Sequence, residues 1–180
     1  QNYELRVPAK PQLTGHITPL KHSNFGLTVQ GVPFDPGAAE WYKGVRNSPW
    51  QYEALSGSVI LGIDEHYAHV QPTGAYHYHG LPTGLLAELS LNPSEPSPLV
   101  GWAADGFPIY ALYGVNAQGE LSEQTPSYRL KAGARPSGGQ NPGGSYDGTF
   151  IADYEYTPGA GSLDECNGRV TKTAEFPQGT

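Results

Sequence analysis

The chain has 180 residues, of which 37% are hydrophobic, and a formal net charge of −7, which suits one compact domain. Its 10 Lys and Arg residues are scattered without a basic run, so the sequence argues against a nucleic-acid partner or an anionic membrane surface. No apolar run approaches the ~20 residues that a membrane-spanning helix needs, so the sequence also argues against membrane insertion.

The first half of the chain predicts short elements joined by turns. Residues 1–22 contain three prolines and predict an irregular N-terminal arm. Residues 25–34 predict a strand, a turn and a short extended return. Residues 35–42 predict the start of a helix, with Asp35 as the N-cap and proline at the first helical position. A short turn or helix is expected near residues 51–55, and the apolar run at residues 58–64 predicts a strand.

The second half of the chain is similarly divided by Gly and Pro. Thr83 is the plausible cap of a predicted helix. The elements predicted here are an extended segment at 75–79, a helix at 81–89, a surface loop at 92–98, strands at 99–103 and 108–113, a loop at 133–148 and an extended segment at 149–156. Together the two halves predict a β-rich α+β fold with long ordered loops and a few short helices. We expect a single domain over residues 23–180, with no second domain.

Histidines are concentrated in one part of the chain. Four of the six lie within residues 66–79. If Tyr76–His79 is extended, His77 and His79 point to the same face, with Cα atoms roughly 6.6 Å apart. Imidazoles at that spacing can converge on one ion, although a His-x-His pair can also be two hydrogen-bonded surface residues. The tyrosines of this segment, Tyr76 and Tyr78, fall on the opposite face, where their rings can pack.

A third histidine can join this pair. His69 precedes His77 by eight residues, and the Gln71-Pro72-Thr73-Gly74 segment can reverse the chain between them. Asp64, His66 or water would then be a further ligand. Three nitrogen donors suit a single copper or zinc ion, could also hold iron or nickel, and suit Ca²⁺ or Mg²⁺ poorly. The predicted metal ligands are therefore His69, His77, His79, His66 and Asp64.

Further residues could support these ligands. Asp105 lies in an Asp-Gly turn, where its carboxylate could orient a ligand histidine or could hold its own backbone as an Asx-turn. Tyr76 and Tyr78 are included as supporting residues because a redox-active copper ion could work beside them. Asp147 and Asp153 are interpreted as turn residues. Cys166 is the only cysteine and cannot form an internal disulfide. It is predicted to be a structural residue without a nucleophilic role, either a small buried side chain or one whose partner lies on another chain or outside this sequence.

The segment Gly74-Ala75-Tyr76-His77-Tyr78-His79-Gly80 resembles the YHYH-domain family. Similar family segments occur in the same order at residues 31–37, 68–72, 101–110, 146–150 and 163–169. The resemblance implies an exported protein, secreted or periplasmic, and no particular reaction. Family members commonly continue past the Gly-Thr at which this chain stops, so the resemblance also implies a further aromatic segment beyond Thr180. The start at Gln1 without any Met fits removal of a signal peptide, and equally a trimmed chain.

Two functions are consistent with these residues. The first is an exported copper- or zinc-binding protein that sequesters, carries or senses the ion. The second is a metal-dependent enzyme, either a hydrolase or lyase that activates water or a copper oxidoreductase, with Asp105 or Glu65 as the base. The sequence favours binding because it shows no recognisable substrate-binding motif. It names no protein partner.

Overall fold

The computed structural model describes residues 4–20, 24–116 and 118–180. Within these ranges the fold consists mainly of short strands, with one α-helix and two 3₁₀ helices. The strands are β1 (Gly26–Thr28), β2 (Pro33–Phe34), β3 (Gly37–Trp41), β4 (Gln51–Glu53), β5 (Ala68–Val70), β6 (Tyr76–Tyr78), β7 (Leu99–Ala103), β8 (Pro108–Tyr110), β9 (Tyr113–Val115), β10 (Leu121–Glu123), β11 (Tyr128–Leu130), β12 (Ser137–Gly138), β13 (Asn141–Pro142) and β14 (Tyr154–Tyr156). The helices are α1 (Thr83–Glu88) and the 3₁₀ helices Tyr42–Gly44 and Ile151–Asp153.

A six-stranded sheet in the order β5-β6-β2-β1-β7-β8 forms the centre of the molecule. Its strand pairs are antiparallel except for β2 and β6, which run parallel. One face of this sheet packs against α1, because alternate residues of the strands point to the same side. The buried cluster between them consists of Phe34, Ala68, Tyr78, Leu85, Leu86 and Val100.

Close packing of the backbone explains a glycine in the sheet. Strands β1 and β7 pair through Leu27↔Trp102 and Thr28↔Gly101. A Cβ added at Gly101 would collide with the carbonyl oxygen of Leu27. Glycine at this position therefore allows the two strands to pair closely.

A second buried cluster stabilises the C-terminal half. The Phe150 ring packs against the rings of Trp50 and Tyr52, with centroids 5.6 and 4.8 Å away. The Arg135 guanidinium lies 4.9 Å from the same ring and donates two hydrogen bonds to the fully buried Asp153 carboxylate. Asp153 also accepts backbone N–H bonds, so it is a structural residue, in line with its interpretation from sequence.

The β-rich architecture is confirmed, whereas the α+β description finds little support in a fold with one six-residue α-helix. The predicted strands at residues 25–34, 75–79, 99–103 and 108–113 are found in β1, β2, β6, β7 and β8. Residues 4–20 form no helix or strand. The division into a 1–22 arm and a 23–180 domain stays a prediction.

Two predicted elements are wrong, and a third is only partly right. The segment expected to start a helix at Asp35 forms β3 instead, because the Asp35 N–H donates to the Tyr78 carbonyl (2.8 Å) and β3 pairs with β4. The short turn or helix expected near residues 51–55 is β4 over its first three residues and a turn at residues 54–55. The apolar run at residues 58–64 forms no strand, and the Ile60 side chain is 99% exposed. The strand was predicted from apolar content alone, which does not show whether another strand lies beside the segment to pair with it.

Helix α1 lies within the helix predicted at 81–89, but Thr83 is its first helical residue and not its cap. The N-cap is Pro82, and no side chain caps the helix. Among the described residues, no helix has the length and hydrophobicity that crossing a lipid bilayer requires.

Candidate metal centre

The β5–β6 hairpin brings the first two candidate ligands together. Its turn is closed by the Gly74 N–H, which donates to the Gln71 carbonyl at 2.8 Å, and Gly74 has a positive φ of 86° that suits glycine. The resulting register pairs His69 directly with His77 across the two strands. Directly paired residues share one face of a sheet, and the two rings lie 4.6 Å apart. The predicted chain reversal between these histidines is therefore confirmed.

His79 completes the group from just beyond β6. Its backbone N–H donates to the Tyr67 carbonyl at 2.8 Å, which extends the pairing of the hairpin by one residue. The Nε2 atoms of His77 and His79 are 3.0 Å apart, and the His79 ring lies 4.9 Å from that of His69. One ring nitrogen from each of the three residues lies within 4.8 Å of the other two. His77 and His79 are buried, and His69 is partly buried.

Backbone carbonyls orient two of the rings. The Leu61 carbonyl lies 2.5 Å from Nδ1 of His69, and the Ala75 carbonyl lies 3.4 Å from Nδ1 of His77. Because a carbonyl oxygen can only accept, each Nδ1 must carry the proton, which leaves the Nε2 of each ring unprotonated. Ligand histidines commonly have this arrangement, with one nitrogen hydrogen-bonded to the protein and the other turned to the ion.

Burial favours the neutral form of the two buried imidazoles, those of His77 and His79. Desolvation lowers the pKa of His77, and the nearby His69 lowers it further. Desolvation, with smaller contributions from His77 and His69, lowers the pKa of His79 from 6.5 to about 4. His77 and His79 are therefore uncharged at neutral pH, the state in which an imidazole nitrogen can coordinate a metal.

Asp35 is a residue near the centre that the sequence did not identify as part of it. Its carboxylate acts to raise the pKa values of both His77 and His79. This contribution is smaller than the lowering by burial and offsets only part of it. It reaches this position because it follows β2, which runs parallel to β6, with Phe34 level with Tyr78. A negative charge here favours a cation among the rings. The sequence does not reveal that β2 pairs with β6, so Asp35 was interpreted as a helix cap.

Asp64 lies outside the three-histidine group and organises the turn before β5. One carboxylate oxygen accepts from the backbone N–H groups of His66 (2.8 Å) and Ala68 (3.1 Å). The other accepts from the Tyr76 hydroxyl at 2.6 Å. The Tyr76 hydrogen bond is the main reason that the pKa of Asp64 is lowered. Its oxygens therefore hold the loop to β6. Asp64 was predicted to be a further ligand, but the structure does not place its carboxylate with the three histidines.

His66 is likewise placed elsewhere. Its Nδ1 lies 3.0 Å from the Thr83 hydroxyl, which in turn donates to the Glu65 carbonyl at 3.2 Å. The His66 ring also packs against Gly84, where an added Cβ would lie 3.2 Å from it. This residue therefore ties the loop before β5 to the start of α1, and it is not one of the three grouped histidines.

The expected supporting residues do not contact the group. Tyr76 and Tyr78 point to the opposite face of β6, as alternation requires, and their rings pack 5.7 Å apart. Tyr78 is part of the main core. Asp105 is exposed and accepts the backbone N–H of Phe107 at 3.4 Å, which is the Asx-turn alternative.

The Cys166 side chain is exposed and free, not buried. Partial desolvation raises the pKa of its thiol, and the neighbouring acids Asp164, Glu165 and Asp105 raise it further. A thiol with a raised pKa is a poor nucleophile at neutral pH, in agreement with its predicted lack of a nucleophilic role.

A family model described as YHYH protein matches residues 4–180. The matched region includes the histidine hairpin and most of the irregular arm. No curated protein and no solved structure matches the chain.

Proposed function

This chain belongs to the YHYH protein family, and we propose that it is an exported protein that binds one copper or zinc ion through His69, His77 and His79. The observation that carries the proposal is the convergence of three ring nitrogens within 4.8 Å. Two of these rings are oriented by backbone carbonyls in the manner of ligand histidines. All three donors are nitrogen, which copper and zinc accept readily.

The spacing of the donors fits an ion after a modest rearrangement. For Nε2 atoms 3.0 Å apart, an ion at ~2.05 Å from each would subtend an angle of about 94°. Two donors of one tetrahedral ion are about 3.3 Å apart. The third nitrogen, within 4.8 Å of the others, therefore needs to move inward by up to about 1.5 Å. The negative charge of Asp35 adds a favourable field for the cation.

Export is supported by the family resemblance. We propose that the protein works in the periplasm or outside the cell. Fractionation of the source cells, with an antibody against the chain, tests this part independently of metal binding. Recovery of the protein in the cytoplasmic fraction would contradict it.

A metal-dependent enzyme is the second candidate, and one observation favours it. Three protein ligands leave a coordination position open to water or substrate, as in catalytic zinc sites. The groups expected to act as a base are not in place, since the Glu65 side chain is 88% exposed and Asp105 is held in its own turn. Binding is therefore the better supported function.

Metal content of the untagged protein is the decisive measurement. We expect one equivalent of copper or zinc per chain by elemental analysis and by calorimetric titration into chelator-treated protein. His77→Ala and His79→Ala should each abolish this stoichiometric binding, because two imidazoles hold an ion far less tightly than three. His16→Ala, in the exposed arm, is the matched control and should bind like the wild type.

Thermal unfolding provides a second readout. Metal at 100 times its Kd should stabilise the wild type by ~2.7 kcal/mol and leave both histidine variants unchanged. A wild-type protein with no bound metal and no such stabilisation would refute the proposal. Variants that are destabilised equally with and without metal would identify these histidines as core residues.

A further inference from the structure

The histidines share their face of the sheet with apolar side chains. Because Phe34 is level with Tyr78 in parallel strands, Pro33 is level with His77. Pro33 pairs in turn with Leu27 of β1. Side chains of paired residues point to the same side of a sheet, so Leu27 and Pro33 continue the row that begins at the metal centre. This row lies on the face opposite the α1 core.

A groove runs over this row. It has a volume of about 650 Å³ and is lined by His77, Leu27, Pro33 and Ala75 on the sheet side. Leu5, from the N-terminal arm, lies along it. The arm is held close to the sheet at Pro8, whose carbonyl would collide with a Cβ on Gly106. A volume of this size is typical of small-molecule sites.

The lining defines what the groove can accept. Most of it is apolar, and the polar groups on it include the neutral side chains of Asn24, Gln71 and Thr73. Glu4 is acidic, and none of the lining residues in the described part of the chain is Lys or Arg. Away from the ion, an anionic group on the ligand would find no partner for its charge and would lose hydration, which is costly. An uncharged apolar body avoids both costs, and a cationic group on that body can face Glu4.

We propose that this groove binds a small organic ligand with an apolar body, uncharged or cationic, whose nitrogen donor occupies the open coordination position of the ion. The proposal rests on the metal centre proposed above. His77 links the two sites because it both lines the groove and belongs to the three-histidine group. The apolar body would lie over Pro33, Leu27 and Ala75, with the donor directed towards His77.

The test compares two probes with the same donor. The full chain is loaded with one equivalent of Cu²⁺, and imidazole and 4-phenylimidazole are titrated at pH 7.5 while the visible absorption of copper is followed. We expect 4-phenylimidazole to bind about tenfold more tightly or better, because its ring buries apolar area that imidazole lacks. 4-(Imidazol-4-yl)benzoate, which has the same donor and carries a carboxylate on its ring, should bind more weakly than 4-phenylimidazole.

Variants locate the effect in the groove. Ala75→Phe and Thr73→Phe fill it from two positions and should each remove the advantage of 4-phenylimidazole while imidazole still binds. Thr73 is exposed in the hairpin turn, so its variant keeps the test valid if the Ala75 variant does not fold. Val70→Phe is the matched control, since Val70 lies on the other face of the hairpin and is 57% exposed.

The outcomes separate the two proposals. Equal affinities for the two probes on the copper-loaded wild type would refute the groove and leave the metal centre intact. An unchanged preference in both groove-filling variants would do the same. Failure of the wild type to take up Cu²⁺, seen before any imidazole is added, would refute the metal centre and the ligand proposal with it.

Discussion

Protonation of His79 should make the metal-free protein less stable in mild acid. The folded-state pKa of His79 lies near 4, against the ordinary 6.5, because the ring is buried beside two other histidines. Below pH 6.5 the unfolded chain gains a proton on this imidazole while the folded chain resists it. Stability is therefore full above pH 6.5, falls as the pH drops towards 4, and loses nothing more from this group below that.

The depression of the pKa sets the size of the effect. Each pKa unit corresponds to about 1.36 kcal/mol, so the shift of His79 to about 4 is worth up to about 3 kcal/mol of unfolding free energy. For a chain of this size, each kcal/mol moves the Tm by roughly 2–4 °C. The loss is therefore large enough to measure against the acid sensitivity of the rest of the protein.

The assay is urea unfolding with chelator present at pH 7, 6, 5 and 4. His79→Gln removes the titrating group and should lose up to about 3 kcal/mol less than the wild type between pH 7 and 4. His16→Gln makes the same substitution in the exposed arm and should follow the wild type. If the wild type and His79→Gln lose equal stability over this range, the ring is not desolvated as the structure indicates, and the reasoning fails.

Other predictions concern the framework around the site. Asp153→Ala should cost about 3–5 kcal/mol in urea unfolding, since it leaves the buried Arg135 guanidinium without its main partner; a loss below 1 kcal/mol would contradict that role. Gly101→Ala should lower the Tm strongly or prevent folding, because its Cβ meets the Leu27 carbonyl, and a wild-type Tm would show that the strands can separate. Cys166→Ser should change stability by less than about 0.5 kcal/mol, and the native thiol should react slowly with alkylating reagents at pH 7, whereas rapid reaction would show an activated thiolate.

Much of the candidate site could be predicted from local sequence. His77 and His79 share a face because extended chains alternate, and the Gln71–Gly74 turn returns the chain to His69 within eight residues. The rings therefore meet through short-range geometry, and the structure finds His69 directly opposite His77. Tyr76 and Tyr78 were placed on the other face by the same alternation. Their contribution is to anchor the strand in the core and not to support the ligands.

Residues that depend on distant pairing were harder to assign. Asp64 and His66 are close to His69 in sequence, but their hydrogen bonds to Tyr76 and Thr83 turn them away from the group. Both residues were predicted as ligands because they are of the right type and lie near His69 in sequence. The sequence did not show that Tyr76 and Thr83 would bind them instead. Asp35 shows the converse case, because its position beside the histidines depends on the parallel pairing of β2 with β6.

The sequence by itself determined a β-rich chain, a histidine hairpin and membership of its family, because composition, alternation and a tight turn act over a few residues. Only the tertiary structure decided that Asp35 would lie near the imidazoles, that residues 58–64 would remain a loop whose Leu61 carbonyl orients His69, and that a groove would lie beside His77. Each of these depends on strand order and on contacts between segments far apart in the chain. Such contacts are set by which surfaces are free to pair and pack once the chain has collapsed, and local preference does not specify them.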